Sequence, residues 1–482
     1  MKRMAAVASA AASRVCFLTD AEGNWSYVRN FVRASQCLRF RDAAERELAL
    51  RDDCVLVFGG DAGDKGDDTL HCYEQLVRLK REHPDRVVLL VGNRDVNKMR
   101  FTSELHDSEM DLCTMATEIR DGPVWVPEKK RTTLTAFLTT KTRDAAVSEA
   151  NATCDASGEA ETLAAVNTKA NRLDWMLEHT MGSQGDFERR RKELLVRTSE
   201  SGGVSDDDVV QSFAASVGDG GVLREFLLEG KLAFIIHKTL FVHGGIITRQ
   251  GDAVVSTLGR VPGDAHVYED VYEWADKLNA WYREQLREWL TQPTWTQDRS
   301  TRGGHELLAY VLPDYTHSVV MGRHLDSAGM PVPLPQEDVK RLEASGITRV
   351  IVGHTPHGTC PTVIRQSSSA ESFREVIMCD TSYSDMTAPD NRGAAASELL
   401  LHADGRVDIF GVLENGRRIA YSTDTTGSSV VGRLLNDGMR VKAQLADETD
   451  EYLVFKVENG YSYTYAYRSL AQLQEIGFAD EA

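Results

Sequence analysis

The stretch Arg86–Asp95, RVVLLVGNRD, decides how this chain is read. Val87 to Val91 form an unbroken apolar run that stops at Gly92-Asn93. Half-exposed strands alternate apolar and polar residues; an unbroken run suits a strand covered on both faces, as in α/β sheets. The glycine lets the backbone turn sharply. The asparagine then stands at the carboxyl end of the strand, where open α/β sheets bind their ligands.

The same pattern recurs outward along the chain. RVCFLTD (14–20) ends on Asp20, CVLVFGGD (54–61) on Asp61, TLFVHGG (239–245) on His243, and RVIVGHTP (349–356) on His354. Further strand-like runs cover 232–236 and 375–378, where Asp380 reads as a turn residue. Between the runs lie helical patterns at 70–83 and 267–290. In the second, Val267, Val271, Trp274, Leu278, Trp281, Leu286 and Trp289 recur at three- to five-residue steps, which marks a core face. Strands alternating with helices predict an α/β domain. Its expected extent is 14–398, after an N-terminal extension at 1–13. A mostly helical insertion is expected at 121–231, because the strand rhythm breaks there. From 399 to 482 the chain reads as β-rich: Asp404-Gly405, Asn415-Gly416, Asp437-Gly438 and Asn459-Gly460 supply hairpin turns between β-prone runs.

Composition narrows the function classes. The 482 residues carry 73 acidic against 55 basic side chains, a net charge of −18, which disfavours nucleic acid and anionic membranes as partners. No apolar stretch approaches the ~20 residues of a membrane span. The eight cysteines include no CxxC pair and several lie in apolar runs, so they read as buried free thiols of a reducing, cytoplasmic compartment. The fingerprints of P-loop enzymes, GxSxG hydrolases and HExxH metalloproteases are absent.

A lone GD, GN or GH after a strand is usually a turn or a satisfied histidine. Five strand ends carrying Asp, Asp, Asn, His and His together read as a set of metal ligands. In this respect the sequence resembles the calcineurin-like metallophosphoesterases, whose motifs run D-x-H-G, GD-x-x-D-[RK]-G, GN-H-[ED], HGG and GH. Here they stand as Asp20-Ala21-Glu22-Gly23-Asn24, Gly60-Asp61-Ala62-Gly63-Asp64-Lys65-Gly66, Gly92-Asn93-Arg94-Asp95, His243-Gly244-Gly245 and Gly353-His354-Thr355-Pro356. The HGG and GHTP forms look most like the branch of phosphoprotein phosphatases and diadenosine-tetraphosphate hydrolases. The resemblance covers about 14–120 and 232–382.

The resemblance implies two mixed β-sheets in a sandwich flanked by helices, and two divalent metal ions at the strand ends. By position, Asp61 bridges the ions, Asp20 and Glu22 hold one, and Asn93, His243 and His354 hold the other. Two ions ~3.5–4 Å apart activate a water that attacks phosphorus directly. An all-oxygen set favours Mg²⁺ or Mn²⁺ and imidazoles favour Zn²⁺, Fe or Mn, so Mn²⁺ is the ion that serves both.

Two positions depart from the family pattern. Glu22 replaces a histidine ligand. Arg94 replaces the histidine of GNH, and a guanidinium cannot donate a proton as a general acid. It can hold a phosphate bidentately, with Asp64 orienting it. Asn24 and Lys65 are candidate phosphate contacts, and His357 and His324 are candidate substitute acids. A leaving group that departs without protonation is therefore favoured, on a phosphorylated small molecule or a phosphoprotein. The expected activity is a metal-dependent phosphohydrolase. The alternatives are a serine/threonine phosphoprotein phosphatase and a catalytically degenerate scaffold.

Overall fold

The computed structural model describes residues 14–123, 126–148, 163–198, 203–251, 253–366, 373–381, 394–423, 429–447, 450–459 and 462–479. The expected extension at 1–13 and Gly460 of the last predicted turn lie outside them.

The unbroken apolar runs become buried strands, and shorter or more exposed strands lie between them. In chain order these are β1 (Arg14–Leu18), β2 (Leu38–Phe40), β3 (Leu48–Leu50), β4 (Cys54–Phe58), β5 (Val87–Leu90), β6 (Gly230–Lys231), β7 (Ala233–Ile236), β8 (Thr239–Val242), β9 (Ile247–Gln250), β10 (Ala253–Ser256), β11 (Arg349–Val352), β12 (Thr362–Arg365) and β13 (Glu375–Met378). The β-rich tail follows as β14 (Ala396–His402), β15 (Val407–Val412), β16 (Arg418–Thr423), β17 (Arg440–Gln444), β18 (Glu451–Asn459) and β19 (Ser462–Ser469). One mixed sheet has the order β16-β15-β14-β1-β4-β5-β6 and the other β12-β13-β11-β8-β7. In the first, β1, β4, β5 and β6 run parallel, while β14 lies antiparallel to β1.

The sheets pack face to face. Period-two alternation puts Val15, Phe17, Val55, Val57, Val88 and Leu90 of the first sheet in one buried cluster with Phe241, Ile351, Val363 and Ile377 of the second. The rings of Phe17 and Phe241 meet at 5.6 Å. Alternate residues such as Cys16, Leu18, Leu56 and Phe58 face the helices, among them Trp25–Ala34 and Thr69–Glu82. This is the α/β sandwich flanked by helices that was expected.

The described part of 121–231 is mostly helical, with helices Leu134–Ser148, Lys169–Trp175, Asp186–Thr198, Asp206–Val217 and Val222–Glu229. Glu193 accepts from the amides of Leu70 and His71, which ties the insertion to the start of the helix Thr69–Glu82. The tail divides. β14 to β16 complete the first sheet, so the expected boundary at 398/399 falls inside β14. β17 to β19 form a separate three-stranded antiparallel sheet.

Two local expectations are corrected. The tryptophan-rich helix starts at Val271 rather than 267, because Asp270 caps it by accepting from the amides of Tyr272 and Glu273. Cys37 and Cys54 are joined in a disulfide with Cα atoms 5.6 Å apart, instead of standing as free thiols. Cys16, Cys72, Cys113 and Cys379 are free. Among the described residues no helix is long and apolar enough to cross a membrane.

Candidate metal centre

The carboxyl ends of β1, β4, β8 and β11 bring Asp20, Asp61, His243 and His354 together, and Asn93 follows β5. The chain turns abruptly at these ends. Asp20 (φ 49°), Glu22 (φ 43°), Asp61 (φ 54°) and His354 (φ 66°) all adopt the left-handed region that non-glycine residues avoid. Strain of this kind persists only where surrounding contacts impose it, and here those contacts are visible. Asp20 N donates to Gly60 O at 3.0 Å and Glu22 N to Asp61 O at 2.9 Å. The Asp95 carboxylate accepts from the amides of Asp61 (2.8 Å), Ala62 (3.0 Å) and Gly92 (2.8 Å), and from Tyr73 Oη (2.6 Å).

Ligand atoms of Asp61, His243 and His354 lie within 4.8 Å of one another. His243 Nδ1 is 2.7 Å from Gly59 O, which leaves Nε2 to face Asp61 Oδ2 at 3.4 Å. His243 Nε2, His354 Nε2 and Asn93 Oδ1 are all buried without a hydrogen-bond partner. Buried polar atoms are rarely left unpaired, and all three belong to expected ligands of one ion. Burial and the neighbouring Asp380 push the Asp20 carboxyl well above its usual range. Burial would do the same to Asp61, but His243 and Arg94 outweigh it and hold Asp61 low. Against the effect of burial, Asp61 raises His243 to about 9. His354 is driven well down by burial and by Arg323. Crowded carboxylates beside unpartnered imidazole and amide atoms fit a divalent cation.

The two departures from the family pattern meet in space. Arg94 Nε lies 2.6 Å from Glu22 Oε1 and 3.7 Å from Asp61 Oδ2, while Nη1 pairs with Asp64. Asp64 is also bonded by Ser183 Oγ and lies 3.3 Å from Lys98 Nζ. The expected Asp64–Arg94 pair is therefore present. Glu22, expected to hold an ion, has its carboxylate against the guanidinium. Ser183 belongs to the insertion, as does Gly182, whose carbonyl is 3.5 Å from Arg94 Nη1. The insertion thus reaches the edge of the site.

The other expected residues have these positions. Asn24 caps the helix Trp25–Ala34, accepting from Tyr27 N at 3.1 Å. Lys65 is half-buried beside Asp64. His357 corrects its expected role as an acid: its Nδ1 is 2.8 Å from Thr362 Oγ1 and its Nε2 3.2 Å from Gly329 O, so both nitrogens are engaged away from the ligands. Burial lowers His324 to about 3, so it stands as a neutral imidazole and not as an imidazolium acid. Asp380, read as a turn residue, is buried beside Asp20.

Sequence reasoning missed Arg323 and assigned no task to Asp95. Asp95 stood inside the GNRD motif and had a signal. Arg323 sits in a loop, 31 positions before His354, and had none. Its Nη1 is 3.5 Å from Thr355 Oγ1, and it lines a cavity of about 350 Å³ together with Arg249, Tyr315, Met321 and Leu325.

Two facing mixed sheets with Asp, Asn and His at adjoining strand ends are what the motif resemblance implies. Neither a family model nor a curated protein matches the chain. Among solved structures, a cold-active protein-tyrosine phosphatase of a psychrophilic Shewanella is similar at 14% identity, over 85% of this chain and 80% of that one, with a TM-score of 0.41. A serine/threonine phosphatase from Saccharomyces cerevisiae is similar at 12% identity, over 86% of this chain and 80% of that one, with a TM-score of 0.33. The functional reading rests on the site.

Proposed function

We propose that the chain is a metal-dependent phosphohydrolase that uses two divalent ions, Mn²⁺ foremost. The observation that carries this is the cluster of Asp61, His243 and His354, with unpartnered atoms on both histidines and on the neighbouring Asn93, set beside an arginine. Asp61, His243, His354 and Asn93 would hold one ion, and Asp20 with Asp61 the other. Such ions supply Lewis acidity and a water of lowered pKa.

The chain's own residues do the rest. Glu22 and Asp64 fix the Arg94 guanidinium at the mouth of the cluster. Held there, it binds phosphoryl oxygens and needs little reorganisation as charge develops on them. Arg94 donates no proton, His357 is engaged elsewhere, and burial disfavours the cationic form of His324. This favours phosphoanhydrides and activated esters, whose leaving groups depart as stable anions. The cavity beside Arg323 is where a leaving group would lie.

The test is hydrolysis of a phosphoanhydride, p-nitrophenyl phosphate and a phosphoserine peptide with added Mn²⁺, comparing wild type with Asp61→Asn. The expected result is metal-dependent turnover, lost in the variant and greatest for the anhydride. Equal rates for the two proteins would favour a scaffold. Turnover of the peptide alone would favour a phosphoprotein phosphatase.

A further inference from the structure

The segment between β11 and β12 carries His354 and then runs without regular structure to Thr362. Its inner side is fixed by the site: Gly353 N donates to His243 O at 2.7 Å, His354 N to Asp20 Oδ2 at 2.9 Å, and His357 N to Asp380 O at 3.1 Å. Its outer side is gripped by the separate C-terminal sheet. Lys442 on β17 is 1% exposed, and its ammonium donates to His357 O at 2.7 Å and to Thr362 Oγ1. One cation thus ties both ends of the 357–362 turn. Lys442 Nζ also lies 4.8 Å from the centroid of the Phe455 ring. The His357 ring packs edge-on against Phe455 at 5.4 Å and Tyr463 at 5.1 Å. Gly358 (φ 73°) passes so close beneath Tyr465 that an added Cβ would stand 2.9 Å from its hydroxyl oxygen. From the same histidine, Nε2 reaches Gly329 O, on the rim of the cavity beside Arg323.

We propose that Lys442 is a positioning residue for the metal centre. From the C-terminal sheet it holds the turn after His354 in the one conformation that presents the imidazole to Asp61 and His243. The proposal rests on the metal-dependent reading above. The physical argument is that His354 sits in an unfavourable backbone region (φ 66°) in a segment without a strand or helix to hold it. Contacts on both sides must impose that conformation: Asp20 and His243 on the inner side, Lys442 on the outer. Groups that orient a ligand typically change metal affinity ~10–100-fold when removed. The sheet β17–β19 is then part of the working site and not an appendage.

The experiment titrates Mn²⁺ into the full-length protein, following free Mn²⁺ by electron paramagnetic resonance, with a thermal melt beside it. Lys442→Met keeps the length of the side chain and removes its donors. The expected result is Mn²⁺ binding weakened about tenfold or more in a protein that still melts cooperatively. Thr362→Val removes one acceptor and is expected to weaken binding by a smaller factor, and it decides the matter if Lys442→Met does not fold. A lowered melting temperature with Mn²⁺ affinity within twofold of wild type would mark a purely structural contact and overturn the proposal. Wild type that binds no Mn²⁺ sinks the metal reading and this proposal with it. Wild type that binds while both variants bind equally well sinks this proposal alone.

Discussion

Gly92→Ala isolates the steric demand at the head of the metal centre. Gly92 has φ −99° and ψ 175°, extended backbone that alanine adopts freely. The methyl group is the whole perturbation. It would stand 1.9 Å from Asp61 Oδ1, about 1.4 Å short of the roughly 3.3 Å at which carbon and oxygen ordinarily touch. The Cβ would also stand 2.7 Å from Asp61 N, and the Asp95 carboxylate pins the backbone on both sides, so Asp61 must yield in side chain and backbone together. Its hydrogen bond from Arg94 N at 2.9 Å goes with it. Overpacking costs ~1–3 kcal/mol. Losing glycine's freedom in the unfolded chain offsets this by ~0.4–1 kcal/mol, so net destabilisation is ~1–2 kcal/mol. A carboxylate moved by over an ångström loses far more in function, on the order of 100-fold in kcat. The assay is Mn²⁺-dependent turnover alongside urea unfolding. Gly218→Ala serves as the control, since its φ is −76° and the nearest atom to an added Cβ is 3.3 Å away. Activity of Gly92→Ala within threefold of wild type would refute the account of Asp61 as the central ligand.

Two further outcomes follow from the charge networks. Arg94→Ala is expected to lower kcat about 10²–10³-fold, as loss of a preorganised charge partner does; a change confined to KM would show that Arg94 only binds the ground state. Burial pushes the Glu104 carboxyl up, but Arg100 and Arg302 hold it down to about 2. A depressed folded value adds stability that is full above the unfolded value of about 4.5 and is lost as pH falls from there towards 2, roughly 3 kcal/mol in all. Glu104→Gln should therefore flatten the loss of stability below pH 4.5 in urea melts, and identical acid limbs in the two proteins would refute it.

Much of the architecture was legible because it is written in local patterns. Unbroken apolar runs gave the buried strands, and the residue that follows each run gave Asp20, Asp61, Asn93, His243 and His354. Three-dimensional context was not legible. Sequence spacing places Glu22 in the ligand set but carries no sign of Arg94, 72 positions away, meeting its carboxylate. His357 follows GHTP closely enough to suggest chemistry, yet the chain turns outward there and buries the ring under aromatic residues of the C-terminal sheet. The insertion's composition marked it as helical but carried no trace of Ser183 reaching Asp64.

The pairing of β1 with β14 sets the order of events at the ribosome. About 380 residues separate the two strands, and at roughly 5–20 residues per second β1 waits about 20–80 s for its antiparallel neighbour. Until then the nascent N-terminal half presents an open strand edge, the kind that recruits other chains. Translation that stalls anywhere before residue 396 therefore releases a fragment whose central sheet lacks one side, prone to aggregate and to be cleared.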